Sequence, residues 1–174
     1  MEWMVYSLVM KEYENIELKS KIFIEDAAYS KLLSIVADNK NKLETGGIII
    51  GYYDEMCQNA VITEFTKPPE DSKAARFRFY RGIKGIKSLL QQCWKEQNEY
   101  YLGEWHLHPN SKPIPSATDV AQMKKIAQDK NFNCKEPILM ILGEVAKIRV
   151  ISLSICKNDQ IFYYDEKSRL REDT

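Results

Sequence analysis

The two histidines of the chain, His106 and His108, are separated only by Leu107 and are followed by Pro109. Successive side chains of a β-strand point to opposite faces, so on a strand both imidazoles would project from one face, about 7 Å apart. Two imidazoles on one face of a rigid strand form half of a zinc site. From the pair alone, two polar residues on a solvated sheet face are an equal alternative, because His-x-His also occurs without a metal.

Asp119 could provide a third metal ligand, one turn into a predicted helix that follows a proline-rich loop. The same segment, Ser116-Ala-Thr-Asp119, is also an N-cap signature, with Ser116 as the cap and an acidic residue at the third helical position. The two interpretations are compatible, because the cap could orient both side chains toward a metal. Two histidines and one carboxylate would leave one zinc position for water, which is typical of catalytic sites.

A hydrolase with such a site also needs a general base to take a proton from the water. Glu44 is the predicted base, because it stands just before Gly46-Gly47 and the apolar run Ile48–Ile50, where a carboxylate is costly unless it has a partner or a task. The alternative is an ordinary charged residue in the last turn of a helix. Glu104, two residues before His106, is the second choice as base, although its place near the start of a strand predicts a group at the surface or outside the ligand shell.

Apolar patterning around these residues predicts a mixed α/β chain with roughly eight strands and three helices. The predicted strands include one within residues 1–17, the segment SKIFIE, a strand buried on both faces at Ile48–Ile50, the segment RFRFY at residues 76–80, and YLGEWHLHP. The first helix should turn inward Ala28, Leu32, Leu33 and Val36. The second helix should pack on the sheet through Ile83, Ile86, Leu89, Leu90, Cys93 and Trp94. The third, from about Ser116 to Lys130, should bury Val120, Met123, Ile126 and Ala127.

Composition narrows the class of protein. A chain of 174 residues suits a single domain over residues 1–174, with a core at about 21–164 and a frayed tail at 165–174. The formal net charge is zero, so no long-range field would attract nucleic acid, and we expect no nucleic-acid partner.

The first residues predict neither a signal peptide nor a membrane span. The four cysteines, Cys57, Cys93, Cys134 and Cys156, form no Cys-x-x-Cys pair and are expected to be reduced and mostly buried, in a cytoplasmic protein.

Together these residues resemble the JAMM motif of the JAB/MPN metalloprotease family. That motif has an upstream glutamate, then His-x-His-Pro, six residues, and Ser-x-x-Asp. Glu44 matches the glutamate, His106 to Pro109 match the second part, NSKPIP fills the gap, and Ser116 to Asp119 complete the motif. The resemblance covers about residues 21–164 and implies a mixed sheet flanked by helices, in a cytidine-deaminase-like fold.

The resemblance also implies an activity, which is hydrolysis of an isopeptide or peptide bond next to the C-terminus of ubiquitin or a ubiquitin-like protein. It implies one zinc ion per chain, held by His106, His108 and Asp119 with water as the fourth ligand. Glu44 would take a proton from that water and return it to the leaving amine. Ser116 would donate a hydrogen bond to the oxyanion.

The short chain and the form GEWHLHP are similar to the bacterial standalone branch of that family, including the deconjugases of type II CBASS anti-phage operons. This implies ubiquitin-activating-like and conjugating-like enzymes as partners, and it makes residues 67–82 the comparable place for substrate contacts. Two alternatives stay open: processing of a β-grasp sulfur-carrier protein or a small peptide, and a non-catalytic MPN-type scaffold. A zinc deaminase is excluded, because the chain lacks the required Pro-Cys-x-x-Cys.

Overall fold

A computed structural model of the protein describes residues 10–39, 43–75 and 78–167. Within these ranges the helices are α1 (Asp26–Ala37), α2 (Ile86–Gln97) and α3 (Ala117–Gln128). The strands are β1 (Met10–Asn15), β2 (Ser20–Glu25), β3 (Thr45–Tyr53), β4 (Ala60–Phe65), β5 (Lys73–Ala75), β6 (Arg78–Tyr80), β7 (Tyr100–Leu107), β8 (Ile138–Val145), β9 (Ile148–Lys157) and β10 (Gln160–Glu166).

Eight of the strands form one sheet that closes on itself, in the order β1-β10-β9-β8-β7-β3-β4-β2. The pairs β2–β4 and β7–β8 are parallel, and the other pairs are antiparallel. The mixed sheet with helices is confirmed in this coarse form. Its closure was not predicted, and it arises because β1 pairs with both β2 and β10 and so leaves no edge there. The cytidine-deaminase-like detail stays a prediction.

The helices cover opposite faces of the sheet. Helix α1 buries Ala28, Leu32, Ile35 and Val36 in the larger apolar cluster, together with Trp105 and Leu107 of β7. Helix α3 buries Met123 and Ile126 in the smaller cluster on the other face, which also receives the partly buried side of α2. Ile35 thus takes the place predicted for Leu33, which is half-buried, as are Val120 and Ala127 of α3.

The prediction that α2 packs on the sheet is confirmed for Ile86, Leu89, Leu90 and Cys93, which are partly buried against the smaller cluster, and is wrong for Ile83 and Trp94. None of the residues of α2 is buried, and Trp94 is 57% exposed. Ile83, which precedes the helix, is 75% exposed. The apolar spacing of a helix shows which side faces inward, but it does not show how closely the helix approaches the sheet.

Both ends of the predicted core differ from those in the structure. Asp165 and Glu166, expected in a frayed tail, belong to β10, and the N–H of Lys167 donates to the carbonyl of Glu12 (2.9 Å). Tyr13 of β1, outside the expected core, is buried. Of the predicted N-terminal strand, Met10–Asn15 form β1, and residues 1–9 lie outside the described residues, as do residues 168–174. Of the strand predicted at 76–80, Arg78–Tyr80 form β6, and residues 76 and 77 are outside the described part.

None of the helices in the described ranges has the length and apolarity needed to cross a membrane. The cysteines are free, and only Cys156 is buried, whereas Cys57 is exposed and the other two are half-buried. The expectation of mostly buried thiols is therefore wrong. Burial raises the pKa of the Cys93 thiol and raises the pKa of Cys134 to about 12, so neither thiol is activated as a nucleophile.

Candidate metal centre

Strand β7 fixes the positions of the two histidines, because it lies between two neighbours in the sheet. It pairs antiparallel with β3, where His106 lies opposite Gly46, and parallel with β8, where His106 lies opposite Ile141. Trp105 is fully buried on the α1 face, and its indole Nε1 donates to the carbonyl of Thr66 (3.0 Å). The alternation of side chains therefore places His106 on the opposite face from the main core, as the sequence predicted.

The loop that follows β7 folds back along β8. The N–H of His108 donates to the carbonyl of Leu142 (2.8 Å), and the N–H of Glu144 donates to the carbonyl of Ser111 (2.7 Å). Gly143 permits this approach, because a Cβ there would lie only 2.4–2.7 Å from backbone atoms of Ser111, Lys112 and Pro113. The loop thus returns the start of α3 to the histidines.

The first turn of α3 is held by a capping box. The N–H of Asp119 donates to Ser116 Oγ (3.1 Å), and the N–H of Ser116 donates to Asp119 Oδ2 (2.6 Å). This reciprocal pair satisfies two backbone donors at the helix start and fixes the Asp119 carboxylate. The predicted cap is confirmed, and it orients the predicted metal ligand.

His106, His108 and Asp119 form a buried cluster whose ligand atoms all lie within 4.8 Å of one another. His106 Nδ1 is 2.8 Å from Asp119 Oδ1, and His108 Nε2 is 3.5 Å from Asp119 Oδ2. The structure therefore brings together one residue of β7, one at the start of the loop that follows β7, and one of α3.

The charges in the cluster favour a cation. Burial by itself lowers the pKa of His106, but the Asp119 and Glu104 carboxylates outweigh it and raise the pKa to about 9. Burial opposes ionisation of Asp119, yet hydrogen bonds from His106 and Ser116 lower its pKa to about 2. Burial lowers the pKa of His108, which favours the neutral imidazole that a metal requires.

Glu44 lies just before β3 and is half-buried, and its carboxylate interacts electrostatically with Asp119 and His106. Its N–H donates to the carbonyl of Ala75 in β5 (3.1 Å), so the small β5–β6 hairpin supports its backbone. Burial raises the pKa of Glu44, and the Asp119 carboxylate raises it further, while His106 opposes both effects. The carboxylate of Glu44 therefore feels the charges of the cluster, and its raised pKa gives it the proton affinity that a general base needs.

Gly46 makes room for the ring of His106. A Cβ at Gly46 would lie 2.3 Å from the carbonyl oxygen of Trp105, 2.8 Å from His106 Cδ2 and 3.0 Å from Phe79 Cε1. Phe79 of β6 meets the His106 ring edge-on, with the ring centres 5.9 Å apart. The hairpin thus covers one side of the cluster.

Of the two places expected for Glu104, the one at the surface is wrong, whereas a place just outside the predicted ligands agrees with the structure. It is 1% exposed, and its Oε1 accepts a hydrogen bond from Arg81 Nε at 2.8 Å, while its Oε2 lies 3.4 Å from His106 Nε2. A carboxylate occupied on both oxygens is a poor choice of base, which leaves Glu44. Sequence reasoning placed Phe79 and Arg81 in the segment for substrate contacts, but it missed their contacts beside the cluster. The signal in this segment is the alternation of arginine and phenylalanine at 76–79, which does not reveal the partners of either residue.

The donor set fits zinc. Two imidazole nitrogens and one carboxylate oxygen, buried and grouped on rigid elements, are ligands that zinc accepts in catalytic sites. Such a set provides three protein ligands, one fewer than a closed structural site has.

Comparison with known proteins places the chain in a family. The family described as prokaryotic homologs of the JAB domain matches residues 28–155, which include Glu44, both histidines, Ser116 and Asp119. The chain belongs to this family. The resemblance seen in the sequence is therefore confirmed at family level, and the cluster lies inside the JAB domain.

Three curated relatives of this JAB domain carry the name CD-NTase/cGAS isopeptidase. The protein of Enterobacter hormaechei subsp. hoffmannii is 47% identical over 100 residues, which are 58% of this chain and 55% of that protein. That of Vibrio cholerae is 29% identical, over 58% of this chain and 62% of the relative. That of Escherichia coli is 30% identical, over 60% and 67%. The chain therefore spans little more than half of the length of the first of these relatives.

The fold also occurs in a solved structure. The solution structure of a protein from Desulfitobacterium hafniense matches with a TM-score of 0.59, covering 84% of this chain and 90% of that one, at 17% identity. At this identity the similarity supports the fold alone.

Proposed function

We propose that this JAB domain is a JAMM-type zinc metalloprotease, an isopeptidase in which His106, His108 and Asp119 hold one zinc ion. The observation that supports this most directly is the buried cluster of these residues, with ligand atoms within 4.8 Å of one another, next to a glutamate of raised pKa. The names of the curated relatives agree with an isopeptidase.

Bound zinc would supply Lewis acidity toward the scissile carbonyl and acidify a water molecule. Glu44 accepts a proton from the attacking water as its oxygen adds to the carbonyl carbon. When the C–N bond breaks, Glu44 returns that proton to the leaving amine, so that it acts first as base and then as acid. Its half-buried position and raised pKa suit both tasks.

Ser116 donates a hydrogen bond to the carbonyl oxygen as negative charge develops there. Its capping role does not prevent this, because Oγ only accepts from the N–H of Asp119 and keeps its own hydrogen to donate. The residue is exposed, so its hydroxyl can reach a substrate. One side chain thus serves both the helix start and the reaction.

The proposed substrate is an isopeptide-linked protein, cleaved after the C-terminus of a ubiquitin-like protein or of a CD-NTase. The family resemblance suggests the first, and the names of the relatives suggest the second. We place the reaction in a bacterial anti-phage conjugation system, with ubiquitin-activating-like and conjugating-like enzymes as partners. The zero net charge agrees with a protein substrate and not a nucleic acid.

A pair of fusion proteins tests this proposal. One carries a CD-NTase and the other a ubiquitin-like protein, each joined through its C-terminus to the same reporter domain. Zinc-loaded protein should release the reporter from at least one fusion, and Glu44→Gln should release none. The Glu44→Gln variant should also retain the uncleaved conjugate when purified from cells. Stoichiometric zinc without cleavage of either fusion would favour a small-peptide hydrolase or a scaffold.

A further inference from the structure

One group beside the cluster has no part in the proposed reaction. Glu104, on β7, is 1% exposed and forms an ion pair with Arg81, whose side chain is 8% exposed. A buried ion pair adds little net stability, because desolvation of the two charges offsets their attraction. Its position next to a metal ligand therefore calls for another explanation.

The contacts of the Glu104 carboxylate are divided between its two oxygens. Oε1 accepts from Arg81 Nε (2.8 Å) and lies 3.5 Å from the hydroxyl of Tyr101, which donates to it. Oε2 faces His106 Nε2 at 3.4 Å. Arg81 in turn donates from Nη1 to the carbonyl of Gly82 (2.8 Å), which holds the guanidinium in place. The carboxylate is thus anchored on one side and free to hold the imidazole on the other.

The two nitrogens of His106 have different surroundings. Nε2 faces Glu104, and Nδ1 faces Asp119 Oδ1 at 2.8 Å. Each nitrogen thus faces a carboxylate, but only Nδ1 faces another member of the metal cluster. A metal held together with Asp119 would take the place of the hydrogen at Nδ1, whereas the hydrogen at Nε2 would stay as the donor to Glu104. The edge of the ring at Cδ2 lies close to Gly46, where a Cβ would be only 2.8 Å from it.

We propose that Glu104, anchored by Arg81, is a positioning residue that fixes the tautomer and ring orientation of His106, so that Nδ1 is its metal-ligating nitrogen. This inference deepens the proposed function and rests on it. Histidine ligands commonly donate their second N–H to a carboxylate, and loss of that partner typically weakens metal affinity about 10- to 100-fold.

Arg81 also connects this arrangement to the β5–β6 hairpin, because it directly follows β6. Phe79, two residues earlier, packs on the His106 ring at 5.9 Å between ring centres. The hairpin therefore contacts His106 directly through Phe79 and indirectly through Arg81 and Glu104. Movement of the hairpin would change the orientation of the ligand.

The test compares zinc affinity, measured by competition with a chromophoric chelator, and the visible spectrum of the cobalt(II)-substituted protein. The main variant is Arg81→Met with Glu104→Met, which removes both charges together and preserves the apolar volume. We expect a folded protein with zinc affinity about 10- to 100-fold lower and a changed cobalt spectrum. Glu99→Gln, which neutralises another buried carboxylate, is the control and should change neither readout.

The outcomes separate the two levels of the proposal. A wild-type protein that binds no zinc would refute the proposed function itself. A wild type that binds zinc, with a folded double variant of equal affinity and an identical cobalt spectrum, would overturn only the role of Glu104. If the double variant does not fold, the single variant Glu104→Gln is measured by the same cobalt spectrum. Gln keeps the shape of the side chain but holds the imidazole N–H less strongly, so the spectrum should change. An unchanged spectrum would overturn the role of Glu104.

Discussion

Helices α2 and α3 have 12 residues each and pack on the same apolar cluster, yet the structure holds them very differently. Helix α3 begins with a capping box and buries Asp119, Met123 and Ile126. Helix α2 has Gly85 as its N-cap, without a side-chain cap, and buries no residue. An open groove of about 700 Å³ runs between α2 and the loop at Asn131–Phe132.

The difference shows where the fold requires precision. A metal ligand must be placed to within a fraction of an ångström, and the capping box and buried side chains of α3 provide this. Helix α2 carries none of the three proposed metal ligands, and it covers the sheet only loosely. Substitutions in the first turn of α3 should therefore change metal binding and turnover, whereas substitutions on α2 should not.

Asp119→Ala should have the largest effect, because it removes a proposed metal ligand and one half of the capping box. We expect loss of stoichiometric zinc, measured by metal analysis after dialysis, and turnover reduced to background. The unfolding free energy of the metal-free protein should fall by about 1 kcal/mol. The control is Asp129→Ala, at the other end of the same helix, and normal zinc content in Asp119→Ala would contradict the assigned metal site.

Glu44→Gln should abolish turnover but retain zinc, because Glu44 is the proposed base and is not one of the proposed ligands. Removal of a general base typically costs about 10²- to 10⁴-fold in rate. Steady-state kinetics and zinc analysis of the same preparation test this, with Glu64→Gln on the surface of β4 as the control. A near-normal rate in Glu44→Gln would mean that another group is the base.

Ser116→Ala should reduce turnover by about 10²-fold or more through the lost oxyanion donor. It should also lower the unfolding free energy by about 1 kcal/mol through the lost cap. Ser116→Gly separates the two roles, because glycine at an N-cap costs only about a few tenths of a kcal/mol, although the hydroxyl is equally absent. If turnover per folded molecule stayed normal in both variants, Ser116 would be a cap and nothing more.

Trp94→Ala on α2 should have the smallest effect. The ring is 57% exposed, so the unfolding free energy should change by about 0.5 kcal/mol or less. Zinc content and kcat should stay at their wild-type values. A large rise in KM alone would show that the loosely packed helix contacts the substrate.

Much of the site follows from local rules that a sequence contains. Strand alternation places His106 and His108 on one face, and the Ser116–Asp119 spacing predicts the cap. The strand SKIFIE was predicted with its correct bounds, Ser20–Glu25. These features depend on residues that are neighbours in the chain, so the side-chain period and the cap signature are sufficient to predict them.

Contacts between distant residues were decided only by the tertiary structure. The closure of the sheet depends on the pairing of β1 with β10, which lie at opposite ends of the described chain. The burial of Glu104 depends on Arg81, 23 residues away and on the far side of α2 in sequence. The looseness of α2 depends on what surrounds it, and not on its own apolar spacing. The sequence alone therefore determined which residues could bind a metal, and the tertiary structure decided which groups orient and cover them, because long-range packing leaves no periodic signal along the chain.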